Sequence, residues 1–172
     1  MGAAAKAKQA VRCIVSNTGP LLHLSEARTL QILSYAGEVH IPKAVEAEMG
    51  HLDPTWRTPS WLTVDSLDAP WQNRAQSWQQ AGLLDRGEAE AIALVQQIQA
   101  TWLLTDDAAA RLFSQALGLE VHGSLGLVLW AAATGHLKRE EAEDVLDRLA
   151  QSSLWISPRV LVEAKAALRR LR

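Results

Sequence analysis

The chain has 172 residues, of which 48% are hydrophobic and 21% charged, and its formal net charge at pH 7 is −2. This length and composition predict one globular domain with a substantial core. The charge balance excludes binding of nucleic acid through an overall basic excess, so any such site must be a local basic patch beside an acidic pocket. Cys13 is the only cysteine, which excludes an internal disulfide and suits a reducing cytosol.

The composition predicts neither a membrane helix nor a signal peptide. No apolar run approaches the ~20 residues that a membrane-spanning helix needs. Residues 1–10 contain lysines without a hydrophobic stretch after them. We expect residues 1–10 to be disordered and the protein to be cytoplasmic.

Strand-like and helical segments alternate along the chain. Short β-branched or alternating segments predict strands at residues 11–16, 39–41, 61–64, 101–105 and 120–122. Apolar periodicity and capping signals predict helices at residues 19–35 (a hairpin), 43–49 (ended by Gly50), 71–82, 86–99, 107–117, 124–134, 139–151 and 157–172. Strands separated by helices predict parallel pairing with right-handed crossovers.

Asn17 follows the first predicted strand and opens a segment of small polar residues that turns into a helix. This is where an α/β protein builds its site. An aspartate at this position would be an obvious metal ligand. An asparagine keeps the shape and one acceptor oxygen but lacks the charge, so the function depends on whether other acids compensate.

Acidic residues follow the other predicted strands. Glu46 and Glu48 come after the second strand, and Asp106 and Asp107 come directly after the strand at 101–105. In a parallel sheet the carboxyl ends of the strands lie along one edge. We therefore expect these acids and Asn17 to lie close together.

Glu88 is a further candidate, early in the helix predicted at 86–99. It shares the apolar stripe of that helix by the i, i+3, i+4 and i+7 rule, whereas Glu90 lies about 200° around the axis and is expected to face water. An inward carboxylate is costly unless it is paired or binds a cation. Several such carboxylates would repel one another without a metal.

Each candidate also has a purely structural interpretation. Asp106 or Asp107 could cap the helix that follows, and Asn17 could be an ordinary turn residue. Glu48 could be solvated on a polar helix face, and Glu88 could complement a helix N-terminus. For any one residue the structural interpretation is the stronger, but the set carries more weight because all members would meet at one place.

Four segments carry a resemblance to a known family: residues 16–21 (SNTGPL), 41–48 (IPKAVEAE), 87–94 (GEAEAIAL) and 103–107 (LLTDD). In this order they resemble the PIN domain, and most of all the branch near the VapC toxins of prokaryotic toxin–antitoxin pairs. Residues 118–126 fit that branch too. The match covers roughly residues 11–137, and we expect residues 138–172 to form C-terminal helices packed on the same domain.

The resemblance implies an α/β fold, a three-layer α/β/α sandwich with a central, mainly parallel sheet, and a metal-dependent endoribonuclease. Carried over residue by residue, it implies that the metal site contains Asn17, Glu48, Glu88, Asp106 and Asp107. The broad family prefers aspartate at the position of Asn17. Asp107 would hold a metal-bound water or act as a fourth charged ligand, and Thr18 or Ser16 would orient a water or a phosphate.

Oxygen ligands of this kind suit Mg²⁺ or Mn²⁺ rather than zinc. The five histidines show no metal-ligand spacing: His23, His40, His51, His122 and His136. One or two ions would bind the scissile phosphate of RNA and lower the pKa of an attacking water.

Four of the seven tryptophans crowd into a short stretch: Trp56, Trp61, Trp71 and Trp78. We expect some of them to be partly exposed as a surface for a protein partner, or covered by a second copy in a homodimer. A local core under the loop has nearly equal weight, and base stacking has less, because only Arg57 and Arg74 interleave with them. The basic residues of the last helix favour the helix dipole more than a phosphate contact.

The leading interpretation is a Mg²⁺- or Mn²⁺-dependent endoribonuclease of toxin type, neutralised by a small antitoxin. The alternative is a PIN-like protein with weakened or lost catalysis that acts by binding RNA or a protein partner. Asn17 favours the alternative, whereas Glu48, Glu88 and Asp106 favour the enzyme. A nucleotide-binding domain that uses the turn at Thr18 is a weaker third interpretation, since the chain lacks a phosphate-loop pattern.

Overall fold

A computed structural model describes residues 11–172, so the prediction of disorder for residues 1–10 lies outside the described residues. Five parallel strands form one sheet: β1 (Cys13–Ser16), β2 (Glu38–Pro42), β3 (Leu62–Asp65), β4 (Trp102–Leu104) and β5 (Val121–His122). Their order is β3-β2-β1-β4-β5. The chain moves outwards from β1 in both directions, so the switch point of the sheet lies at the carboxyl end of β1.

Helices pack on both faces of this sheet. In the described part of the chain they are α1 (Thr18–Glu26), α2 (Ile32–Ala36), α3 (Lys43–Leu52), α4 (Ala69–Gln80), α5 (Arg86–Ile98), α6 (Ala108–Ala116), α7 (Ser124–Ala133), α8 (Arg139–Ala150) and α9 (Pro158–Arg170). Among residues 11–172, none of the helices is both long and apolar enough to cross a membrane.

Two buried clusters lie on opposite faces of the sheet because successive strand residues point to opposite sides. Ile14 and Leu104 belong to the cluster that includes α1, α2, α3, α7, α8 and α9. Their neighbours Val15 and Leu103 belong to the cluster formed with α4, α5 and α6. The structure therefore has the predicted three layers, helices on either side of a parallel sheet.

The C-terminal end of α3 differs from the prediction. The helix continues through Gly50 to Leu52, and the backbone N–H of Asp53 closes its last turn on the carbonyl of Met49 at 2.9 Å. Gly50 keeps a helical backbone, so it does not act as the predicted stop.

The four clustered tryptophans are all half-buried. Trp56 and Trp61 pack against the cluster that contains Ile14, whereas Trp71 and Trp78 pack against the cluster that contains Val15. As a set they therefore contact both layers of helices, and each residue is partly exposed.

The C-terminal helices share the core of the rest of the chain. Leu146 of α8 and Leu168 of α9 are fully buried in the cluster that contains Ile14. Two basic residues of α9 pair with acids of α8, Lys165 with Asp147 at 2.5 Å and Arg169 with Glu143 at 3.7 Å. These ion pairs, together with the basic residues in the last turn of α9, agree with a structural role for the positively charged side chains of this helix.

We expect Leu168→Ala to lower the free energy of unfolding by about 2–5 kcal/mol, because it leaves a cavity in a core that α9 shares with β1. Urea denaturation should still show one transition by circular dichroism and by tryptophan fluorescence. Val162→Ala is the matched control, since Val162 is on the same helix and 67% exposed. Two separate transitions in the wild-type chain would show that α8 and α9 form an independent unit.

Candidate functional site

Asn17 caps α1 at the switch point of the sheet. Its Oδ1 accepts the N–H of Thr18 at 2.8 Å, and its Nδ2 donates to Oγ1 of Thr105 at 3.3 Å. Its own backbone N–H donates to the carbonyl of Leu104 at 2.8 Å. The side chain is almost fully buried, so Asn17 is a turn residue as well as a candidate site residue, and its amide oxygen already holds one donor.

Glu48 of α3 meets the start of α1. The hydroxyl of Thr18 donates to Oε2 of Glu48 in a short hydrogen bond. Ser16 is fully buried and donates to the carbonyl of Asn17, so of the two hydroxyls proposed to orient a water or phosphate, Thr18 is the one that contacts an acid. Glu46, the other acid after the second strand, accepts from the hydroxyl of Thr58 instead.

Gly87 brings the start of α5 onto the Glu48 carboxylate. A Cβ on Gly87 would lie only 2.5 Å and 2.6 Å from the two carboxylate oxygens of Glu48. Any side chain at position 87 would therefore displace Glu48. Gly87 was not among the predicted site residues, although a glycine inside a predicted helix usually has a packing or functional reason.

Glu88 lies next to this contact and forms a capping box with Asp85. Oδ1 of Asp85 accepts the N–H of Glu88 at 2.8 Å, and Oε2 of Glu88 accepts the N–H of Asp85 at 3.0 Å. Burial, assisted by the nearby charges of Asp85 and Asp107, raises the pKa of Glu88 to about 7. Glu88 thus complements the N-terminus of α5, as its structural interpretation predicts, and its surroundings disfavour the negatively charged carboxylate.

Glu90 does not face water, and that prediction is wrong. The residue is 8% exposed, and Nε of Arg86 donates to its Oε2 at 2.8 Å. The reason is that α4 packs against a further face of α5. The periodicity of α5 alone predicts that this face is exposed to solvent. Glu90 therefore lies against α4 and is paired with Arg86.

Asp106 is held by three donors at the carboxyl end of β4. The backbone N–H of Ser124 donates to Oδ1 at 2.7 Å, and the Ser124 hydroxyl donates to Oδ2 at 2.5 Å. Nδ1 of His23 lies 2.7 Å from the same Oδ2. Burial raises the pKa of Asp106, but the hydrogen bonds from His23 and Ser124 outweigh it and hold the pKa below its ordinary value.

His23 and Ser124 were missed as site residues by sequence analysis. For Ser124, the signal in the sequence is its position at the start of a predicted helix that closely follows the last strand. His23 carries no comparable signal, because only the packing of α1 beside β4 brings it to Asp106. Asp107 is exposed and caps α6 by accepting the N–H of Ala110 at 2.8 Å.

The predicted site residues therefore lie along the expected sheet edge but in separate contacts. Glu48 contacts Thr18, Glu88 contacts Asp85, and Asp106 contacts Ser124 and His23. Within residues 11–172, no group of three or more His, Cys, Asp or Glu side chains is arranged to hold a metal ion. The donors fit a hard cation in their chemistry, and the missing Cβ of Gly87 leaves room at Glu48, but they are not assembled into a closed cage.

We expect Glu88 to titrate near pH 7 in cation-free protein, as measured by NMR of its carboxyl carbon. Its pKa in the folded state exceeds the ordinary 4.5, so the folded protein holds an extra proton between these values and loses stability as pH rises through this window. Glu88→Gln keeps an acceptor for the Asp85 N–H and should be the more stable form at about pH 8. A Glu88 titration at its ordinary pKa would contradict this account.

The family of the chain is given by a family model described as a PIN domain, which matches residues 13–170. The match runs through α8 and α9, beyond residues 11–137, which carried the resemblance in the sequence. Comparisons with curated proteins and with solved structures gave no significant match. PIN domains are generally nucleases, and the three-layer fold with polar residues at the carboxyl edge of its sheet agrees with that family. The chain belongs to the PIN-domain family.

Proposed function

We propose that this protein is a divalent-metal-dependent endoribonuclease of toxin type, which hydrolyses RNA phosphodiester bonds and is neutralised by a small antitoxin. The observation that carries this proposal is the position of the Glu48 carboxylate, which accepts from the Thr18 hydroxyl at the start of α1 and lies in the space left by the missing Cβ of Gly87 at the start of α5. The surroundings of Glu88 support the proposal. Burial and the charges of Asp85 and Asp107 raise its pKa to about 7, so the anionic form lacks a compensating positive charge. A divalent cation would supply that charge.

Glu48, Glu88 and Asp106 would be the charged ligands of Mg²⁺ or Mn²⁺ in this proposal. Asp107 would hold a metal-bound water or act as a fourth ligand, and Asn17 would offer its neutral amide oxygen. The cation would act as a Lewis acid at the scissile phosphate and lower the pKa of a water. Thr18 would orient a water or phosphate through its hydroxyl, which Glu48 holds in place. Asn17 would also align Thr18, and Asp106 would also fix the start of α7.

A groove beside Glu48 supports the antitoxin part of the proposal. A cavity of about 440 Å³ is lined by Ala44, Ala47, Glu48, His51, Leu52 and Arg86. Leu52 is 54% exposed although it is apolar. An amphipathic helix of an antitoxin would cover this apolar wall and block Glu48. A homodimer that uses part of the tryptophan-rich stretch 56–78 is a further proposal.

One set of contacts favours the alternative function, in which catalysis is weakened or lost and the protein acts by binding RNA or a protein. Asn17 supplies no charge, and its amide oxygen accepts from Thr18. The carboxylates of Glu48, Glu88 and Asp107 each already accept a hydrogen bond from within the chain. Such a site can keep its shape without a cation.

We expect the purified chain to cut single-stranded RNA internally with Mg²⁺ or Mn²⁺ and not with excess chelator. Glu48→Gln should slow cleavage by more than about 100-fold, since loss of even an outer partner of a metal ligand costs 10–100-fold. Glu46→Gln is the matched control, because Glu46 lies on the same helix and bonds to Thr58. Full cleavage in chelator would refute the metal dependence, and RNA binding without cleavage under either cation would favour the alternative.

We expect Gly87→Ala to impair cleavage without destabilising the fold. The new methyl group would push away the Glu48 carboxylate, which is the flexible end of its side chain, while alanine favours the helix by up to about 1 kcal/mol. Thermal melting and Mn²⁺ titration by calorimetry measure the two effects. Gly50→Ala on α3 is the control, since a Cβ there has no atom of the described residues within 4 Å. Equal cation affinity and cleavage in both variants would show that Glu48 does not depend on the space at Gly87.

A further inference from the structure

A second groove adjoins Asp106 on the side away from Glu48. One wall contains Asp106, Arg111 and Gly123, and the other is formed by residues 154–157 and Val160. Its volume is about 360 Å³, which lies within the ~300–1,000 Å³ typical of ligand sites. Neither Arg111 nor the 154–157 segment has a role in the proposed cation site.

Arg111 places a positive charge in this groove. It is half-buried, and its Nη2 makes one long hydrogen bond of 3.4 Å to the carbonyl of Thr105. Across the described residues it forms no salt bridge, while Asp106 is occupied by Ser124 and His23. A guanidinium presents donors in a planar fork that matches a phosphate.

Gly123 leaves space for the side chains of Arg111 and Asp106 beside the groove. A Cβ there would lie 2.9 Å from Nη2 of Arg111 and 2.9 Å from Oδ1 of Asp106. Its φ of −110° is accessible to any residue, so the glycine provides space and not an unusual backbone. The guanidinium of Arg111 and the carboxylate of Asp106 thus both lie close to the backbone of Gly123.

Trp155 forms the exposed wall of the groove. Its side chain is 83% exposed, whereas the other six tryptophans are buried or half-buried. Its neighbours Leu154 and Ile156 both pack against the core, which turns Trp155 outwards. The Ser153 hydroxyl donates to Glu26 at 2.5 Å, which ties the residue two positions before Trp155 to α1.

We propose that this groove binds one nucleotide of a single-stranded RNA beside the scissile bond, with Arg111 on a backbone phosphate and Trp155 stacked on the base. A guanidinium outside any salt bridge and an exposed aromatic ring, on the two walls of one groove, are a combination that can bind an unpaired nucleotide. The inference rests on the proposed function, since it takes the carboxyl edge of the sheet as the cleavage site. Arg111 and Trp155 are substrate-positioning residues in this account.

The test measures RNA binding in excess chelator, so that binding is separated from cleavage. The probe is a fluorescein-labelled single-stranded RNA of about 12 nucleotides, within the range that such grooves accommodate. Trp155→Ala should weaken binding roughly 5- to 150-fold, the loss expected for one stacked base, and Trp155→Phe should restore most of it. RNA should also quench a fraction of the tryptophan fluorescence that is absent in Trp155→Phe.

Arg111→Ala should reduce the slope of log Kd against log salt by roughly 0.7, the value for one phosphate contact to a single strand. Arg74→Ala is the charge-matched control, because Arg74 lies 5.2 Å from the ring of Trp71 on α4, outside the groove. It should leave both the affinity and the slope unchanged. A smaller slope in Arg111→Ala alone is a result that a merely structural role would not produce.

The proposal is overturned if Trp155→Ala and Arg111→Ala, with wild-type melting, bind the RNA like the wild type. Such a result would leave the groove to another ligand, such as a peptide. It is also overturned if the wild-type chain does not bind the RNA. Binding that depends on both residues without cleavage under Mg²⁺ or Mn²⁺ would refute only the enzyme, and cleavage that both variants retain in full would refute only the groove.

Discussion

The hydrogen bonds of Asn17 hold together the part of the molecule on which the site depends. They join the end of β1 to β4 through Leu104 and Thr105 and cap α1 through Thr18. The Thr105 hydroxyl also accepts the N–H of Asp107, so the amide of Asn17 supplies a donor where an aspartate would supply none. Asn17 weakens the case for a metal site because it carries no charge, but its amide also has a structural role.

Three of the acids at the sheet edge lie at helix N-termini. Glu88 belongs to the first turn of α5, Asp107 caps α6, and Asp106 accepts the first N–H of α7. The partial positive charge at each N-terminus offsets part of the repulsion between them. Gly87 completes the arrangement at some cost in helix propensity, because a larger residue would displace Glu48.

Most tryptophans of this chain pack against the core. The guanidinium carbon of Arg12 lies 3.8 Å from the ring centroid of Trp102. The Trp102 ring also lies against Trp130, which stacks on His136. This aromatic group fills the edge of the core near β4 and β5. Trp155 differs because its neighbours occupy the core and leave its ring in solvent, which is why the groove beside Asp106 and not the tryptophan-rich stretch 56–78 provides the stronger argument for a base contact.

The sequence by itself determined the order of strands and helices, the parallel sheet and the edge along which Asn17, Glu48 and Asp106 lie. These follow from periodicity, capping and chain connectivity, which act over short stretches or through general rules of topology. The tertiary structure alone decided that Glu90 is covered by α4 and that His23 reaches Asp106. It also decided how the acids divide into separate contacts, because such contacts join residues far apart in the chain and depend on how whole helices pack against the sheet.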